Sequence, residues 1–167
     1  MAIDVFAADE QKEEQVDTMR WVRLAKDVLG AEGVKGDVEL SMLFVDEHAI
    51  TELNERFLDE SGPTDVLAFP MDEHLSEGGR SPDSGGTGPG VNPDPMTEAP
   101  TMLGDVVVCP AVARRNAEGA SRSYDDEMAL LIVHGILHLL GMDHADADEA
   151  KAMQLREREL LGRFHKQ

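Results

Sequence analysis

His134-Gly135-Ile136-Leu137-His138-Leu139-Leu140-Gly141-Met142-Asp143-His144 sets three histidines at positions i, i+4 and i+10, with a glycine at i+7. The run before it, Met128 to Val133, is apolar enough for a buried helix. On such a helix, residues four apart share a face, with Cβ atoms roughly 5–6 Å apart. His134 and His138 can therefore aim their imidazoles at one ion, which needs nitrogens at about 2.0–2.1 Å. On a straight helix, position i+10 would lie about 15 Å further along the axis. His144 joins the pair only if the chain turns back. Gly141 is the residue for that turn, because glycine takes the left-handed conformation that ends a helix at no steric cost. Three neutral imidazoles with a fourth position open make a catalytic zinc site, not a structural one. One Zn2+ per chain is expected at His134, His138 and His144.

The spacing resembles that of the metzincin proteases, H-E-x-x-H-x-x-G-x-x-H, at every position but one. The protease needs a glutamate beside its first histidine as general base; here the residue is Gly135. Peptide hydrolysis by the usual protease route is not expected. Asp143 reads either as a partner orienting a histidine N–H or as a solvated turn aspartate. A three-histidine zinc lowers the pKa of its water to about 7 in the best-known case, so no side-chain base is assigned.

A chain of 167 residues with 41% apolar content is long enough for a substantial core and reads as one domain over 1–167. No apolar run reaches the roughly eighteen residues of a membrane span. The N-terminus lacks the basic start and apolar centre of a secretory signal. Cys109 stands alone, so no internal disulfide forms and a reducing cytoplasm is expected. The net charge of −19 repels polyanions in general. Nucleic-acid contact would need a local basic patch, and Arg114, Arg115 and Arg122 are the candidate cluster, weighed against an ordinary solvated face. His48, His74 and His165 lack ligand spacing and read as surface residues. Asp65 and Asp105 read as strand-opening turn residues.

Ala2 to Phe6 reads as a short strand. Val16 to Leu29 follows helical period, with Met19, Val22 and Val28 on one stripe, Trp21 at its edge and Gly30 as the stop. Val38, Leu40, Met42 and Phe44 alternate as in a strand. Asp46 caps a helix running to Phe57, with Ile50, Leu53 and Phe57 inward. Thr64 to Pro70 is a strand ended by proline. From about 76 to 100 a Gly/Pro-rich, low-complexity stretch reads as a flexible loop insertion between two strands. Met102 to Val108 is a buried strand, and Pro110 opens the next helix. Ser123 to Asp126 resembles a capping box at the start of the histidine helix. Asp146 to Phe164 is amphipathic, with Met153, Leu160 and Phe164 inward. The sum is an α+β fold: a mixed sheet of about four strands, packed with helices around a central metal-binding helix in zincin-like manner.

Together, Thr64 to Pro70, Leu103 to Pro110 and His134 to His144 resemble the YbeY family of metal-dependent endoribonucleases. The resemblance covers residues 1–75 and 101–160. It implies a cytoplasmic enzyme that cuts single-stranded RNA, matures small-subunit ribosomal RNA and takes part in ribosome quality control. It also implies zinc beside a cleft that admits the strand, and contact with ribosomal proteins or a ribosome-associated GTPase. Two departures stand out. Many members carry a cleft-facing arginine four residues after the asparagine of their Leu-Asn pair; here Leu58 follows Leu53-Asn54 at that offset. Arg56 lies two positions away, roughly 200° around an ideal helix. The second departure is the insertion. Two other classes fit the same residues: a zinc hydrolase of a peptide or amide, and a ribosome-assembly binding protein with a structural metal.

Overall fold

The computed structural model describes residues 3–34, 36–71, 101–142 and 146–165. The expected insertion, His74, Asp143 and His144 lie outside the described residues. Within them the order is β1 (Ile3–Asp9), α1 (Thr18–Ala31), β2 (Val38–Phe44), α2 (Glu47–Phe57), β3 (Val66–Pro70), β4 (Thr101–Val108), α3 (Pro110–Gly119), α4 (Tyr124–Leu139) and α5 (Ala147–Phe164). The four strands form one mixed sheet in the order β1-β2-β4-β3. β1, β2 and β4 run parallel, and β3 closes one edge antiparallel to β4, pairing Val66 with Val108 and Pro70 with Gly104. The expected α+β class with a four-stranded mixed sheet is what the chain adopts.

Alternation in β2 sorts its side chains by face: Val38, Leu40, Met42 and Phe44 are buried with α1, α4 and α5. The other sheet face buries Val107 and Leu67 against Ile50 of α2 and Val112 of α3. Asp46 caps α2 through its carboxylate on Ala49 N–H at 2.8 Å, and Pro110 begins α3. Gly104, at φ +137 beside the β2–β4 register shift, brings two backbones close enough that a Cβ there would sit 2.3 Å from the Phe69 carbonyl oxygen.

Several local expectations shift. β1 continues to Asp9, beyond Phe6. In α1 the inward stripe is Trp21, Leu24, Ala25, Val28 and Leu29; Trp21 is 2% exposed, whereas Met19 is 63% exposed. The stripe i, i+3, i+4, i+7 thus begins at Trp21, and Met19 falls out of phase with it. The helix also runs through Gly30 and turns at Gly33, φ +75. Phe57 is exposed, not inward. Asp105 does not open a strand; it lies inside β4, where burial pushes its carboxyl up against a hydrogen bond from Ser41 that lowers it.

α4 is the centre of the packing. Ser123 caps it by accepting the Asp126 N–H at 3.0 Å, and three acidic residues fill its first turn, where the helix dipole favours them. Ten of its sixteen residues are buried, among them Met128, Ile132, Val133, Ile136 and Leu137. Each such side chain withdrawn from water contributes about 1.5–3 kcal/mol. Gly135 is the seat of the helix on the sheet: a Cβ there would lie 2.8 Å from Val106 Cγ1.

Candidate active site

One face of α4 stays open. Glu127, Leu131, His134 and His138, spaced by four, three and four residues, line a cleft of about 540 Å3. The opposing wall is the edge strand and its approach, Asp65 to Ala68, with Leu58 at the end of α2; Glu157 of α5 closes the third side. His134 and His138 stack edge to face with ring centroids 5.0 Å apart. Two imidazoles on one tetrahedral ion, with nitrogens at about 2.0–2.1 Å and ring centres roughly 1.1 Å beyond, have centroids about 5 Å apart. The pair therefore fits a divalent ion. Among the described residues no third metal-capable side chain completes a cluster, and His144, the expected third ligand, lies outside them.

The turn expected after the helix is present through Met142. Met142 N–H bonds the Leu137 carbonyl and Gly141 N–H the His138 carbonyl, both at 3.0 Å. This is the paired closure of a Schellman turn, with Gly141 at φ +102 in the left-handed position. No neighbouring atom would crowd a Cβ at Gly141, so conformation, not space, makes glycine the fitting residue.

The sequence reading missed Glu157. Its carboxylate lies 2.5 Å from His134 Nδ1, and its side chain is 10% exposed. An ionised carboxylate only accepts, so Nδ1 is the donor. Position 157 falls on the inward stripe of α5 with Met153 and Leu160. A carboxylate at that phase was the available signal.

Asp65, Glu127 and Glu157 make the cleft acidic, and no Lys or Arg is among its described lining residues. Burial pushes the Glu127 carboxyl above the ordinary range; Arg122 pulls it back and Asp65 adds to the rise. The three arginines of the basic cluster do not converge. Arg114 pairs with Glu14 at 2.8 Å and stacks on Tyr124, beside a separate cavity. Arg115 pairs with Glu47 at 2.9 Å. Arg122 pairs with Glu127 at 2.9 Å and is the one of the three whose partner lines the cleft. Asp65 accepts from Asn116 at 3.1 Å. Cys109, alone in the sequence, is buried immediately before α3. His165 is not the surface residue expected: its side chain is 8% exposed, and Nε2 lies 2.9 Å from Asp126.

The chain is an α+β domain in which a histidine-lined cleft opens along a helix seated on the sheet. The model of the endoribonuclease YbeY family matches residues 6–165, and the chain belongs to that family. It is 45% identical over 157 residues to the Endoribonuclease YbeY of Frankia casuarinae, covering 94% of this chain and 72% of the relative. Its identity to the Acidothermus cellulolyticus protein of the same name is 49% over 146 residues, 87% and 82% of the two chains. For the Thermobifida fusca protein of that name it is 48% over 145 residues, 87% and 84%. The solution structure of TM1509 from Thermotoga maritima shares the fold, with a TM-score of 0.53 at 22% identity over 95% of this chain and 90% of that one. No described helix is long and apolar enough to cross a membrane.

Proposed function

We propose that this chain is an endoribonuclease that cuts single-stranded RNA with one zinc ion held by His134, His138 and His144, acting in the cytoplasm on the precursor of small-subunit ribosomal RNA and in ribosome quality control. The observation that carries the reading is the His134–His138 pair, 5.0 Å apart between centroids, in a cleft walled by carboxylates that favour a cation. Zinc so held supplies a water acidified to a pKa of about 7 and a Lewis acid for a phosphoryl oxygen. The chain's own residues do the rest. Leu58, Val66, Ala68 and Leu131 offer unpaired bases an apolar wall, which suits a single strand with its base faces exposed. Arg122, beside Glu127, is the cluster's cation best placed for a phosphate near the cleft; Arg114 and Arg115 sit on other carboxylates. Asp143 serves to orient a histidine ring. The net charge of −19 favours basic partners such as ribosomal proteins, with a ribosome-associated GTPase as a further partner.

The test is cleavage of a single-stranded RNA by the full chain with equimolar zinc, beside a duplex of the same sequence, a chelator control and His138→Ala. Cleavage of the single strand that chelator and His138→Ala both abolish is the expected result. Equal cutting of the duplex, or activity indifferent to zinc, overturns the reading. A second reading, a ribosome-assembly binding protein with a structural metal, is favoured by the absence of Lys and Arg among the described lining residues. Zinc-dependent folding without turnover would establish it.

A further inference from the structure

We propose that Glu157 is a positioning residue that readies His134 to bind a divalent metal. The inference rests on the zinc reading above and goes beyond it by assigning a role to a residue 23 positions downstream on another helix. Met153, Glu157 and Leu160 are the buried residues of α5, spaced by four and three. Helical period calls for an aliphatic side chain at 157, and a carboxylate there is costly unless it is paired. The guanidinium next to it in sequence, Arg156, is turned to Glu32 and Glu159. Glu157 meets the imidazole of His134 instead, at 2.5 Å.

The chemistry of that contact is directional. With Nδ1–H donating to the carboxylate, the neutral ring carries its lone pair on Nε2, the tautomer a metal requires. The bond also fixes the ring's rotation. His134 lines the cleft with its ring edge-to-face to His138, so holding one ring preserves the spacing that suits a shared ion. Carboxylates in this relation to a metal-bound histidine change metal affinity by about 10–100-fold.

The experiment measures zinc affinity of the full chain by competition with a chromogenic chelator, for wild type, His138→Ala, Glu157→Gln and Glu157→Ala, with the melting temperature of each metal-free protein. Glu157→Ala is expected to bind zinc about 10–100-fold more weakly. Glu157→Gln, whose amide oxygen still accepts the N–H, should fall between it and wild type, with the metal-free melting temperature little changed. If Glu157→Ala does not fold, Glu157→Gln decides alone. Wild-type zinc affinity in the Glu157 variants, even with a lowered melting temperature, overturns the proposal and leaves the zinc site standing. Zinc uptake that His138→Ala does not reduce overturns both.

Discussion

Two imidazole–carboxylate pairs lie at opposite ends of α4. At its C-terminal half His134 meets Glu157; at its N-terminus Asp126 meets His165, which follows α5. Both join α4 to the α5 region, yet their surroundings differ. His134 keeps 30% of its side chain exposed, toward a cleft with a second imidazole 5.0 Å away. His165 is enclosed: its other ring nitrogen lies 3.4 Å from Arg20 Nη2, and Trp21 packs near its ring. The same hydrogen bond therefore holds a cleft-lining ring, the proposed metal ligand, in one place and an enclosed ring in the other. What separates them is access and a neighbouring donor, not the bond.

Removing the imidazoles would break or uphold that contrast most directly. His138→Ala is expected to lower RNA cleavage by more than about 100-fold if it removes a ligand of the proposed zinc, since a ligand matters more than the residues supporting it. His165→Ala should leave cleavage within about twofold while costing about 1 kcal/mol in urea unfolding, the ordinary worth of a hydrogen bond. Equal effects of the two on activity would erase the distinction. Gly135→Ala is the next largest. Its Cβ would press Val106 Cγ1 at 2.8 Å, and overpacking of this kind costs about 1–3 kcal/mol, read as a fall in melting temperature. Gly135→Glu should be worse, because a longer side chain starts from the same crowded Cβ position between Val106 and Val66. Gly141→Ala, at φ +102, should cost about 1–2 kcal/mol and weaken zinc binding, since the turn it closes leads from His138 towards His144.

The smallest effect concerns Tyr124, at the head of α4 and away from the cleft. Burial and Glu14 push its phenol up to about 12 against an ordinary 10, with Arg114 opposing them. A raised phenol is retained longer by the folded chain than by the unfolded one. Stability therefore falls as pH rises from 10 towards 12 and is unaffected by this group below 10. Tyr124→Phe should flatten that stretch of a denaturation-versus-pH curve without altering cleavage at neutral pH.

Legibility in the sequence followed the range of the interaction. The Ser123 and Asp46 caps, the alternation of β2, Pro110 opening α3 and the glycine turn after α4 were all readable, because each is decided within a few residues. The phase of α1 was misread. Met19 and Val22 imitate a stripe, and only the sheet beneath shows that Trp21 and Leu24 face it. Glu157 was overlooked because Arg156, Arg158 and Glu159 around it read as a solvated face. Arg114 and Arg115, adjacent in sequence, suggested one basic patch, but they point to Glu14 and Glu47 on different parts of the molecule.

The order of residues alone determined that His134 and His138 share one helical face and that α4 must end in a left-handed turn. Those are consequences of 3.6 residues per turn and of glycine's freedom at positive φ. Tertiary structure decided which carboxylate reaches His134, why Gly135 admits no side chain, and which acid each arginine meets. Such pairings join residues 3 to 124 positions apart, and the local backbone does not specify the distant ones. They exist only once α4 is seated on β4 and α5 packs alongside, since charges and ring nitrogens act over a few ångströms of space, whatever their separation along the chain.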